Sequence, residues 1–102
     1  MDTRDPAAEA CNSLEEVRAR IDGIDRRIVA LIAERGACVT RAAAFKASTD
    51  AVRAPARVEQ VIGKVRALAE VAGADPSVVE RTYRAMIAAF IEAELATHAA
   101  LG

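Results

Sequence analysis

From Leu14 to Phe45 the apolar residues Leu14, Val17, Ile21, Ile24, Ile28, Leu31, Cys38, Ala42 and Phe45 recur in alternating steps of three and four, broken once, at Arg35. This is the spacing of one long helix with a narrow buried seam. About 33 residues at ~1.5 Å each span roughly 50 Å, whereas a small domain is ~30 Å across. One copy of the chain cannot cover such a helix. The remaining residues offer two shorter helices, so burying the rest of the seam calls for a second copy, most simply across a two-fold axis. The expected architecture is all-α, with three helices per chain (one long, two shorter) in an intertwined helical-bundle homodimer.

Composition supports gaining core by association. The chain has 102 residues, one domain's worth, and its aromatics are two phenylalanines and one tyrosine. Bulk must come from aliphatics and alanine, and alanine buries little area per residue. The formal net charge is −1 with both signs interspersed, so no field exists to hold nucleic acid or an anionic membrane. The first residues lack a basic start followed by an apolar run, and no apolar stretch approaches the ~20 residues of a membrane span. A cytoplasmic protein is expected.

Along the chain, residues 1–12 contain Pro6, mixed charge and no periodicity, and read as a mobile leader to a helical domain over 13–102. Ser13 is a candidate cap for the first helix, with Glu16 three places on to satisfy a further free amide. That helix is expected to run to about Ser48 in spite of Gly23 and Gly36, which close backbone approach would explain. Residues 48–55 read as a loop that ends on Pro55 in the first turn of helix two. Val58, Val61, Ile62, Val65, Leu68, Ala69 and Ala72 form that helix's apolar face, and Gly73 ends it in a left-handed conformation. Asp75 and Pro76 open helix three, whose apolar side is Val79, Tyr83, Met86, Ile87, Phe90, Leu95 and Leu101.

The polar residues narrow the chemistry. Cys11 and Cys38 make no disulfide framework, and Cys38 on the seam reads as a small buried apolar residue. There is no nucleophile beside a base, no glycine-rich phosphate loop and no zinc-type cluster, so neither a metal nor a cofactor is expected. The single histidine, His98, reads as a solvated residue near the C-terminus. What stands out is Arg35, because a guanidinium is unwelcome on a buried seam unless an anion meets it. Lys46, eleven residues on, lies within ~20° of it around the helix and roughly 16 Å along it, so both can converge on one small ligand. Arg18 is about 25 Å from Arg35 along the axis, and only a partner's copy could join that ligand. Glu94 follows Tyr83, Ile87 and Phe90 in steps of four, three and four, which turns its carboxyl inward. Apolar surroundings favour the protonated carboxyl, a hydrogen-bond donor; a polar rim or an inter-subunit ion pair is the other reading.

With these residues in view, the chain from Leu14 to about Ala99 resembles the small all-helical chorismate mutases and their relatives, the isochorismate pyruvate lyases. The segments that carry the likeness are LEEVRARIDGIDRRIVALIAER, AAAFKAS, APARVEQVI and IEAEL. Arg18, Arg35, Lys46, Arg57 and Glu94 fall at the spacing of that family's ligand-binding polar residues. The resemblance implies that Arg35 and Arg57 bind substrate carboxylates, that Arg18 arrives from the other subunit to bind one of them, and that Lys46 and Glu94 flank the ether oxygen. In the family that oxygen gains negative charge as its bond to carbon stretches, so an ammonium and a neutral donor favour the transition state without a covalent intermediate.

Two positions depart from the family's pattern. Many members have glutamine at the place of Glu94, and a glutamate must be protonated to donate. Dedicated mutases often carry a glutamate immediately after the arginine of helix two, where this chain has Val58. The lyases are closer around FKAS and APARV and share the shorter loop between Lys46 and Arg57. The resemblance thus implies a chorismate mutase giving prephenate, with an isochorismate pyruvate lyase giving salicylate and pyruvate as the alternative. Read singly, Arg57 is also an ordinary exposed residue beside Glu59 and Gln60, and Lys46 a helix-end cation. A third reading, from a different class, is a non-catalytic helical dimer in which Arg35 and Glu94 form a buried ion pair across the interface.

Overall fold

The computed structural model describes residues 6–46 and 49–101, and among them every regular element is a helix. These are α1 (Pro6–Glu9), α2 (Leu14–Ala43), α3 (Thr49–Arg53), α4 (Pro55–Ala72) and α5 (Pro76–Leu101). The three helices expected, one long and two shorter, are α2, α4 and α5, although α5 at 26 residues is nearly as long as α2 at 30. Two short ones were not expected: α1, a single turn in the leader, and α3, in the segment read as a loop. Residues 1–5 of the leader and the side chains of His98 and Leu101 lie outside the described residues.

Local chemistry sets most of the boundaries. At the start of α2 the Ser13 hydroxyl accepts from the Glu16 amide at 3.1 Å, and the Glu16 carboxylate accepts from the Asn12 amide at 2.6 Å, which satisfies one donor of the first turn and that of the residue before the cap. Gly73 ends α4 with φ 77°, and Ala74 donates back to the Ala69 carbonyl at 2.8 Å, the left-handed stop that glycine permits. The Asp75 carboxylate accepts from the Ser77 amide at 2.9 Å and opens α5.

α2 stops at Ala43, short of the expected Ser48. Ala44, Phe45 and Lys46 donate three residues back, to Arg41, Ala42 and Ala43, so the last turns tighten and the chain leaves the helix axis. The segment AAAFK has no sequence signal for that stop. After it, α3 buries Val52, the least exposed of the core residues at 2%, and this tertiary contact makes a helix of a stretch that reads locally as a turn. Ala54 then adopts a left-handed conformation, φ 36° and ψ 59°, a geometry that costs an L-residue about 1–2 kcal/mol, before Pro55 begins α4.

The core lies where α3, α4 and α5 meet: Val52, Ile62, Val65, Ala69 and Ile87 are buried. Leu68, expected on the apolar face of α4, is exposed. On the outer side Arg84 binds both oxygens of Glu59 at 2.9 Å and one of Glu80 at 2.7 Å, and Arg66 takes the other oxygen of Glu80 at 2.7 Å. These hydrogen bonds hold both carboxyls below their usual range and tie α4 to α5 at the surface.

α2 behaves differently, for none of its residues is buried. It meets α5 near Gly36, where an added Cβ would stand 2.9 Å from the Phe90 ring, so the close approach expected of this glycine is real. Gly23 has no comparable neighbour; the nearest atom to a Cβ there is the Arg26 guanidinium, at 3.6 Å. Leu14, Ile21, Ile28 and Leu31 of the seam are exposed, on a chain whose principal extents are 55 × 25 × 16 Å. No described helix is long and apolar enough to cross a membrane.

Candidate active site

Between the C-terminal half of α2, the α3–α4 corner and the middle turns of α5, from Ile87 to Glu94, lies a cavity of about 390 Å³. Arg35, Lys46, Arg57 and Glu94, four of the five residues singled out in the sequence, line it together with apolar Val39, Val58, Val61, Ile87 and Ile91. Arg18 is exposed near the start of α2 and is absent from the lining, as its distance of about 25 Å along the helix requires.

Arg35 is half-buried, and its guanidinium carbon lies 5.8 Å from the centre of the Tyr83 ring and 5.7 Å from that of Phe90. Two aromatic faces thus receive the charge that the seam position made anomalous. Cation–π contact favours the cation without neutralising it, for about 0.5–1 kcal/mol per pair at exposed sites, so the hydrogen-bonding edge is left for an anion. The sequence reading placed both rings in the apolar stripe of helix three and missed this role. The signal was there in part, since Tyr83 and Phe90 share the face that leads to Glu94.

Glu94 does turn inward: its side chain is 8% exposed. Its partner is Lys46 of the same chain, with Nζ donating to Oε2 at 3.3 Å. The sequence reading set Lys46 and Glu94 on either side of one ligand atom but did not pair them. The tightened end of α2 delivers Lys46 to this place, beyond the last helical residue. Arg57, in the first turn of α4, is exposed and donates to the Gln60 side-chain oxygen at 2.6 Å. Cys38, expected to be buried on the seam, is exposed and lines the cavity, because α2 has no helix packed over that side within the chain.

One further cation was not anticipated. Arg53, the last residue of α3, lines the same cavity. Among the described residues none of Arg35, Arg53 and Arg57 forms an ion pair, while Arg66 and Arg84 on the outer surface are both held by carboxylates. Lys46 and Glu94 balance each other. The cavity is therefore lined by three guanidiniums without a counter-ion among the described residues, together with a paired ammonium and carboxyl. Such a set can bind a small dianion and respond to charge developing on one oxygen.

Comparison with known proteins agrees with this chemistry. The sequence profile of the family described as chorismate mutase type II matches residues 17–95. The isochorismate pyruvate lyase of Pseudomonas aeruginosa is 34% identical over 87 residues, which are 85% of this chain and 86% of that protein.

Proposed function

This chain belongs to the type II chorismate mutase family, and from that premise we propose that it rearranges chorismate to prephenate by a pericyclic path, as a homodimer. Arg35 and Arg57 bind the substrate carboxylates, and the partner subunit's Arg18 joins one of them. Lys46 and Glu94 flank the ether oxygen; with the ion pair parted by the ligand and a proton taken up by Glu94, both donate to that oxygen and stabilise the negative charge it gains as its bond to carbon lengthens. The observation that carries the reading is the meeting of Lys46 and Glu94, at 3.3 Å, inside a cavity with guanidiniums around it.

Two observations favour a second reading, elimination of pyruvate from isochorismate. Val58 lines the cavity at the place where dedicated mutases often have a glutamate, and the similar Pseudomonas aeruginosa protein is named for that reaction. Both substrates are enolpyruvyl ethers with two carboxylates, so the same residues serve either reaction.

An equimolar mixture of chorismate and isochorismate followed by NMR decides between them: prephenate as the main product is expected, and an excess of salicylate and pyruvate selects the lyase. No product from either substrate refutes both. Arg35→Met, which keeps an unbranched apolar stem without the charge, is expected to lower kcat/KM by about 10²–10³-fold, the order seen when one stabilising donor is removed, with the melting temperature unchanged or raised. Strong destabilisation with no turnover in the parent protein would favour a non-catalytic helical dimer.

A further inference from the structure

We propose that Arg53 is a substrate-binding residue of this site, forming with Arg57 a two-guanidinium clamp on one carboxylate of the dianion; the assignment of the ligand rests on the function proposed above. The two arginines lie four residues apart, on either side of the corner between α3 and α4. In one continuous helix that spacing would set them a turn apart on the same face. Here the chain bends at Ala54, yet both side chains line the same cavity.

The corner is held from both sides. Val52, 2% exposed, anchors α3 in the core next to Arg53, and Pro55 has a fixed backbone angle at the start of α4. Between them Ala54, at φ 36°, is the one non-glycine residue with a positive φ among the described residues. A strained conformation persists where its surroundings over-determine it. Arg53 thus projects from a backbone already set in place, which reduces the ordering cost of binding.

Charge points the same way. Arg53 has no ion-pair partner among the described residues, and its neighbour in the cavity, Arg57, hydrogen-bonds only the neutral amide of Gln60. Two like charges at one cavity without a counter-ion repel each other, and a carboxylate bound between them removes that repulsion while accepting bonds from both.

The test is calorimetric titration of the protein with an inert aryl ether dicarboxylate, meta-(carboxymethoxy)benzoate, alongside steady-state turnover. Arg53→Gln is expected to raise Kd about tenfold, which corresponds to about 1.4 kcal/mol, and to raise KM similarly with kcat within about twofold, the pattern of lost uniform binding. Arg53→Lys should fall between the two. Arg81→Gln on α5, which removes the same charge away from the cavity, should bind as the parent does. Unchanged binding by Arg53→Gln, or equal weakening by Arg81→Gln, overturns the proposal. Absence of turnover in the parent overturns the function instead, and the titration still decides the role of Arg53.

Discussion

At the scale of single residues, the site combines groups whose environments differ more than their types suggest. Arg35 has rings and no carboxylate as neighbours, so its guanidinium has no counter-ion among the described residues, whereas Lys46 already has an anionic partner in Glu94. In the proposed mechanism Glu94 must carry a proton to donate to the ether oxygen, so kcat/KM is expected to fall as pH rises. Glu94→Gln, a donor at every pH, should flatten that slope without abolishing turnover, and a parent profile already flat from acid to alkali would refute the role. The inward direction of Glu94 was legible because steps of four, three and four put it on the face of Tyr83, Ile87 and Phe90. Its pairing with Lys46 was not, since it depends on how the end of α2 unwinds beside α5. Arg53 escaped the sequence reading for the same reason: nothing local tells which way a residue before a left-handed corner will point.

Among the elements, the contact of α2 with α5 is the one most exposed to a small change. Gly36→Ala would place a methyl 2.9 Å from the Phe90 ring; overpacking of this kind costs about 1–3 kcal/mol, against about 1 kcal/mol gained from alanine's better helix propensity. The expected outcome is a slightly lowered melting temperature with a larger loss of turnover, because the ring that must yield also faces Arg35. Unaltered kinetics would show that the Phe90–Arg35 contact does not position the guanidinium. The helix starts at Ser13 and Asp75 and the stop at Gly73 were readable because their determinants lie within a few residues of each boundary. The segment TDAVR was not, because what makes it α3 is the burial of Val52 against distant residues. Likewise AAAFK looks fully helical, and only the structure reveals the tightened turns that end α2 and carry Lys46 to Glu94.

For the molecule as a whole, the long exposed seam and the placement of Arg18 belong to one question. Leu14, Ile21, Ile28 and Leu31 leave an apolar edge on α2, and the same helix carries Arg18 outside its own chain's cavity. If the proposed dimer supplies Arg18 in trans, Arg18→Ala and Lys46→Ala are each inactive, yet mixing them after unfolding and refolding regains about a quarter of the parent's turnover: half of the dimers are then mixed, and one of the two sites in each is intact. No recovery on mixing would place Arg18 outside the site. Across the whole cavity, the Lys46–Glu94 pair also shapes which solutes can compete for it. Each is the other's counter-ion, so an entering anion contends with a carboxylate already in place. Chloride or a simple monocarboxylate that displaced Glu94 from Lys46 would exchange one ion pair for another with little net gain, whereas a ligand fastened elsewhere to the guanidiniums meets the ammonium as an intramolecular neighbour. In the proposed site the resting ion pair would thus leave small anions to the guanidiniums and reserve the ammonium for solutes that bear two well-separated charges.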